Sequence, residues 1–181
     1  MSPRPVQPGA TLGEDALPIR DYALPSMEKR KTATAFTITV ASPTEFPLCL
    51  AIRRRVFVEE QNVDAALEVD EHDPIATHWL AQSSSGPMGT ARSRVVGPFA
   101  KAERVAVLPP FRRGGIGRRL METIEDWARN KGLDGVQLNA QVDALRFYQH
   151  LGYREEGPVF NEAGLAHQAM IKTFASDGGS Q

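Results

Sequence analysis

The sequence predicts an α/β domain, a mixed central β-sheet with helices packed on both faces. Three observations carry that prediction. Val105-Ala106-Val107-Leu108 is a short apolar run that breaks at Pro109-Pro110-Phe111, passes a glycine-rich turn and opens into an amphipathic helix. Val136 to Gln141 alternates as a strand, with Val136, Leu138 and Ala140 on one face, and leads into a second, shorter helix. Ser83-Ser84-Ser85-Gly86-Pro87 reads as a hairpin loop between two further strands. Hairpins beside strand–helix–strand units give a mixed sheet, and both of its faces then need helices to cover them.

The elements follow in order. Residues 1–35 hold Pro3, Pro5, Pro8, Pro18 and Pro25 and little periodicity, so they read as a flexible tail. A mitochondrial presequence is disfavoured there by Glu14, Asp15, Asp21 and Glu28. A strand is expected over 36–41 and a helix over 44–58. Pro47 decides the helix start: a Ser42 cap would set its missing N–H against the first helical hydrogen bond, whereas a Thr44 cap leaves it in the first turn. A loop or short helix fills 60–73, and strands follow at 77–82, 88–95 and 102–108. The helix over 115–131 carries Ile116, Leu120, Ile124, Trp127 and Ala128 on one face, with Gly132 as its stop. A strand at 135–141 precedes a helix over 143–151, capped by Asp143 and ended by Gly152. A strand at 166–173 closes the domain, and 174–181 read as a frayed end.

Composition narrows the function. The chain has 181 residues, 41% of them hydrophobic, enough for one domain with a real core. A net charge of −1 argues against a nucleic-acid protein. A single cysteine, Cys49, excludes an internal disulfide framework and suits a reducing compartment, so a cytoplasmic location is the default. No apolar run approaches the roughly 18 residues of a membrane span. Cys49 lies among Leu48, Leu50 and Ile52 and reads as core rather than nucleophile.

The turn from Arg112 to Gly117 is the richest in chemistry. Amides in a helix's first turn have no intrahelical acceptor, and the helix dipole favours negative charge there. Glycines let the backbone approach a ligand closely. Arg112, Arg113, Arg118 and Arg119 crowd the same turn. A phosphate or pyrophosphate is the natural ligand. The spacing is neither Gly-x-Gly-x-x-Gly nor Gly-Lys-Ser/Thr, so the dinucleotide fingerprint and the P-loop both fail.

Arg112-x-x-Gly115-x-Gly117, preceded by Val-Ala-Val-Leu-Pro, instead resembles the acyl-CoA pyrophosphate loop of the GNAT superfamily of N-acetyltransferases. Ala144-x-x-Phe147-Tyr148-x-x-Leu151-Gly152-Tyr153 resembles a second signature of that superfamily. Arg53-x-x-Val56-Phe57-Val58-x-Glu60-Gln61, Asp73-x-x-Ala76-x-His78 and Glu162-Ala163-Gly164-x-x-His167-x-x-Met170 look like one subgroup of small, stand-alone members. Arg113 departs from the pattern, since the family usually has glycine there, but Gly114 and Gly115 follow and the loop is expected to survive on a slightly different path.

The resemblance implies a single-domain GNAT-like fold, an acyltransferase and acetyl-CoA as co-substrate without a metal. It implies that Val105, Ala106 and Val107 hold the acyl and pantetheine part through backbone amides. The pyrophosphate falls to Arg112, Arg113, Gly114, Gly115, Ile116, Gly117 and Arg118. Tyr148 is expected near the sulfur as general acid, with Phe147 beside it in the cofactor site. Tyr148 also shares a helix face with Ala144 and Leu151, and most tyrosines so placed are core. Asn139 lies with Gln137 and Gln141 on the polar strand face, where a pantetheine amide is one partner for its side chain. The general base is open: Glu60 and Glu71 come from an acidic segment, His78 and His167 from strands, and a water chain is a further option.

That segment, from Val56 to Ala91, contains no Lys or Arg but carries Glu59, Glu60, Asp64, Glu68, Asp70, Glu71 and Asp73. It suits a cationic acceptor, or it is a solvated acidic loop. The expected activity is acetyl transfer from acetyl-CoA directly to a small primary amine such as an amino sugar or polyamine. The alternatives are a protein N-terminal or lysine acetyltransferase, or an acyl-CoA-binding sensor without chemistry. No nucleic-acid or membrane partner is expected, and a homodimer is compatible with the family's habits.

Overall fold

The structure, a computed structural model, describes residues 35–175. Most of the expected tail and all of the last six residues lie outside the described residues. A seven-stranded sheet runs in the order β1-β2-β3-β4-β5-β7-β6. Its strands are β1 (Thr37–Val40), β2 (Thr77–Ser83), β3 (Gly86–Val96), β4 (Phe99–Val107), β5 (Gly135–Gln141), β6 (Arg154–Glu162) and β7 (Leu165–Thr173). Every neighbouring pair is antiparallel except β4 and β5, which α2 (Ile116–Asn130) joins as a parallel crossover. The other helices are α1 (Phe46–Arg53) and the short α3 (Leu145–His150). The α/β class and the mixed sheet match the expectation from sequence.

Helices cover both faces, as alternation along the strands requires. Trp79, Ala81, Val136, Leu138 and Ala140 pack beneath α2, whose buried stripe is Ile116, Leu120, Met121, Ile124 and Ala128. Each large aliphatic buried there stabilises the fold by about 1.5–3 kcal/mol. On the opposite face Leu80, Ala106 and Leu108 meet Cys49, Ile52 and Val56. The stop of α2 is as expected: Gly132 takes φ +69° and its amide donates to the Arg129 carbonyl.

Three local expectations change. Glu45, not Ser42 or Thr44, is the N-cap of α1, and its carboxylate accepts from the Ser42 amide and hydroxyl at 2.9 and 2.8 Å. This sets Pro47 in the first turn, where its missing N–H costs nothing. Beyond Arg53 the chain widens into a π-helix over Arg54–Glu60, so the predicted single helix changes pitch midway. Asp143 makes no cap bond: it lies within a 3-10 turn, Val142–Ala144, and Ala144 is the N-cap of α3.

One strand was not foreseen. β6 is an edge strand interrupted by Gly157-Pro158 and a register shift between Glu156 and Phe160, all of its residues exposed. Nothing in such a sequence alternates, and only pairing with β7 extends it. β7 in turn approaches β5 so closely that a Cβ at Gly135 would stand 2.2 Å from the Lys172 carbonyl oxygen. Gly135→Ala therefore forces β5 and β7 apart, and thermal or denaturant unfolding should show a loss of about 3 kcal/mol or more.

Candidate active site

The parallel pairing of β4 with β5 stops early. Phe99 to Ala102 pair with Gly135 to Leu138, and beyond these the two strands diverge. The divergence coincides with a bulge in β4. Across from β3, Thr90 pairs with Ala106 and Arg92 with Glu103, so Arg104 and Val105 together oppose Ala91. Arg104 takes φ +53°, a left-handed conformation that a residue with a Cβ adopts only under constraint. Its guanidinium supplies that constraint, donating to the carbonyls of Leu67 and Glu68 at 3.1 and 3.2 Å and to Asp70 at 3.2 Å.

The gap between the strands is a cavity of about 480 Å³, walled by Val56 and Phe57 of the π-helix, by β4 from Lys101 to Val107, by Leu138, Asn139 and Gln141 of β5, and by Tyr148 of α3. The β6–β7 hairpin closes one side with Glu162, Leu165 and His167. From Glu103 to Val107, β4 has no β5 partner, so backbone groups facing away from β3 are left to the cavity.

The expected cofactor residues come together around this gap and the adjoining helix start. Val105, Ala106 and Val107 line it. Arg113 takes φ +64° and Gly115 φ +81°, so the turn needs two left-handed residues in three positions and tolerates a side chain at the first. Gly115 is the N-cap of α2 and supplies no side-chain cap, which leaves the amides of Ile116, Gly117 and Arg118 without an acceptor among the described residues. Gly114 and Gly115 border a second hollow of about 510 Å³ with Arg118 and Arg119. A Cβ at Gly117 would touch the Phe147 ring at 3.3 Å, so glycine keeps the Phe147 side of the turn open. The arginines are partly engaged: Arg118 and Arg119 pair with Glu122 at 2.9 and 3.3 Å, and Arg113 has no carboxylate partner among the described residues.

Arg112 turns away from the loop. It grips both oxygens of Glu60 at 2.6 and 2.7 Å and donates to the Val107 carbonyl at 2.9 Å, tying the turn to the π-helix. The hydrogen bonds from Arg112 hold the Glu60 carboxyl below the usual range. A carboxylate so stabilised is a poor proton acceptor. Of the other expected bases His167 lines the cavity, and Glu71 and His78 do not. Glu71 is exposed on a turn outside it. His78 is buried on β2 outside the cavity, its ring 4.4 Å from that of Phe46 and its Nε2 2.9 Å from the Asp73 carbonyl. Burial lowers its pKa, so it stays neutral.

Tyr148 lines the cavity at 8% exposure, wedged between the rings of Phe147 and Tyr153, and its hydroxyl has no hydrogen-bond partner among the described residues. Burial raises its pKa well above the ordinary phenol value, so the hydroxyl holds its proton. Asn139 is already satisfied within the protein: it accepts from Lys101 Nζ at 3.2 Å and donates to Glu162 at 2.9 Å. Cys49 is fully buried, and burial pushes its thiol up, as befits a core residue.

Sequence reasoning missed one cluster altogether. Asp70, Asp73 and Glu68 do not form an open acidic surface. Arg53, 1% exposed, pairs with Glu68 and with Asp73, the latter at 2.7 Å. Arg92, equally buried, holds Asp70 at 2.6 Å, Asp73 at 2.8 Å and Glu103 at 3.1 Å. These acids neutralise arginines that fix the bulge. The only advance signal was the presence of arginines inside strand and helix patterns that otherwise bury apolar residues.

The site is a strand pair that splays around a cavity, followed in the chain by an uncapped glycine turn at a helix start. Comparison with known proteins gives the family. Residues 30–174 match the acetyltransferase (GNAT) domain family. The Bacillus subtilis protein YyaT is 41% identical over 129 residues, 70% of this chain and 87% of that protein. The N-acetyltransferase YjcF of the same organism is 38% identical over 122 residues, 67% of this chain and 87% of that one. A crystal structure of a candidate N-acetyltransferase from Lactobacillus plantarum superimposes with a TM-score of 0.72 at 28% identity, covering 77% of this chain and 99% of that one. The chain belongs to the GNAT family of acetyltransferases, and it is an acyltransferase.

The buried network makes acid stability predictable. Burial alone would raise the Asp73 carboxyl, but its hydrogen bonds to Arg53 and Arg92 outweigh that and hold it at about 2. Its folded pKa lies below the unfolded value near ~3.9. Its stabilisation is therefore complete above pH ~4 and drains away as pH falls towards 2. Asp73→Asn should cost on the order of 3 kcal/mol near neutrality and flatten the stability curve in that acid window, measured by denaturant unfolding at stepped pH.

Proposed function

We infer that this protein is an acetyl-CoA-dependent N-acetyltransferase that moves the acetyl group directly to a small primary amine. One observation carries the reading: the gap where β4 leaves β5 is lined as far as Val107 and Arg112, which lead in the chain into the uncapped N-terminus of α2, so a thioester and a pyrophosphate can be held by one molecule spanning both. Amides of Val105, Ala106 and Val107 suit the acyl and pantetheine part, and those at β4's free edge can face the carbonyl oxygen as it gains charge. The turn of Arg113, Gly114, Gly115, Ile116, Gly117 and Arg118 suits the pyrophosphate through its amides. Arg112 supports that turn through Glu60, and Arg113 is left to supply charge. Phe147 packs beside Gly117, and Asn139 can exchange a protein partner for a pantetheine amide.

In the reaction, the free amine attacks the thioester carbon, the C–N bond forms and the C–S bond breaks. The leaving thiolate takes a proton from Tyr148, whose buried phenol is protonated at every working pH. A cavity of about 480 Å³, part of it needed for the acyl arm, favours small acceptors over protein chains.

Release of CoA thiol from acetyl-CoA, followed with glucosamine, spermidine, an aryl-alkylamine and a lysine peptide, tests this reading. Turnover with a small amine is expected, and turnover with the peptide alone would replace the small-molecule acceptor by a protein. No release in the presence of any amine, with acetyl-CoA bound, would leave a sensor. Tyr148→Phe should lower kcat roughly 100-fold while leaving acetyl-CoA affinity near that of the parent protein, read by steady-state kinetics and calorimetry.

A further inference from the structure

With Glu60 tied to Arg112, and Glu71 and His78 outside the cavity, His167 of the β6–β7 hairpin is the one side-chain base named from sequence that lines the cavity. The hairpin's turn residues Ala163 and Gly164 both take positive φ, +52° and +80°, as a two-residue hairpin turn of the primed kind requires. This turn sets Glu162 opposite Leu165 and Phe160 opposite His167, and His167 pairs on its other side with Gln141 of β5. Directly paired residues point to one face of a sheet. Glu162, His167 and Gln141 thus enter the cavity together.

His167 is held in one tautomer. Its Nδ1 lies 3.0 Å from the Leu165 carbonyl, which can only accept, so Nδ1 carries the hydrogen and the neutral ring keeps its lone pair on Nε2. Nε2 has no hydrogen-bond partner among the described residues, and the ring, 9% exposed, lines the cavity. The Phe160 ring stacks on it with centroids 6.1 Å apart and 25° between planes. Among the acids that line the cavity, Glu68 is paired with Arg53, and Glu103 with Arg92 and Arg94. Among the described residues Glu162 bonds only the neutral Asn139 amide.

We propose that the β6–β7 hairpin is the acceptor half of the site, where Glu162 pairs with the substrate ammonium and His167 Nε2 removes its proton. The acceptor class is a protonated primary amine. The ammonium gives one proton to His167, which passes it to solvent, and the freed lone pair forms the C–N bond. As the C–S bond breaks, Tyr148 protonates the thiolate, and the second amine proton restores the phenol. The proposal rests on the acetyltransferase reading above.

The test is a series of amines of one body and falling basicity, assayed at one pH with the parent protein, His167→Gln and Glu162→Gln. A lysine-like amine, pKa near ~10.4, is almost wholly protonated at neutral pH, whereas the weakest members need no base for their first proton. His167→Gln is expected to lower kcat/KM on the order of 100-fold for the most basic amine, with the ratio falling towards one along the series. Glu162→Gln is expected to raise KM for the protonated amines roughly fivefold and to leave KM for the neutral ones alone. Unchanged acetyl-CoA affinity, by calorimetry, verifies that the variants are folded. An unaffected kcat/KM in His167→Gln, or a loss that is constant along the series, overturns the base. An unmoved KM in Glu162→Gln overturns the ammonium contact and is read on a turn residue, independently of the strand interior. A parent protein that acetylates no amine removes the underlying reading as well, and so is distinguished from failure of this proposal alone.

Discussion

The site depends on Arg104 standing in a left-handed conformation. A non-glycine residue there costs about 1–3 kcal/mol. Hydrogen bonds from a charged donor return about 1.5–3 kcal/mol each. Arg104 makes three, to the Leu67 and Glu68 carbonyls and the Asp70 carboxylate, so the bulge is held with a margin. Without the bulge β4 would keep its register against β3 to Val107, and nothing would turn its free edge from β5. The cavity, the unpaired amides and the lining face of β5 all follow from that one backbone irregularity.

The partners of Arg104 are irregular chain and must themselves be held in place. Residues 65–75 make two 3-10 turns and bury little apolar side chain, so packing alone would leave them loose. Arg53 of α1 and Arg92 of β3 bind them from below through Glu68, Asp70 and Asp73. Replacing such a network with apolar residues often costs nothing in other folds. Here apolar residues could not hold two carbonyl oxygens and a strained residue at once. Conformational specificity is therefore the physical reason for charges in this core.

This network explains where sequence reading stopped. Periodicity revealed every element that buries one face: α2 and β5 were legible within a residue because apolar side chains recur at the helix or strand period. β6 was not, since an edge strand with Gly157-Pro158 buries nothing and exists only by pairing. The glycine turn was legible as a helix start, and the left-handed φ of Arg113 answers the one departure from the family pattern, because the turn needs that conformation whichever residue supplies it. The acidic segment misled for a plain reason. Its counter-charges, Arg53, Arg92 and Arg104, lie outside the run, and a linear count of charge cannot see neutralisation across strands. Glu60 misled in the same way, its partner Arg112 being 52 residues distant in sequence.

On the proposed reaction the two proton-handling groups differ in environment as their tasks require. Tyr148 is sealed among rings, and burial keeps its proton on until the departing thiolate develops beside it. His167 sits on the hairpin, paired with Gln141 of β5, its hydrogen on Nδ1 and its other nitrogen without a partner among the described residues. Burial thus keeps the proton on the acid, while a backbone carbonyl that holds the hydrogen on Nδ1 leaves the base a lone pair on Nε2. Both groups belong to elements joined to β5, α3 by sequence and β7 by pairing, and the departure of β4 from β5 opens the gap that they share.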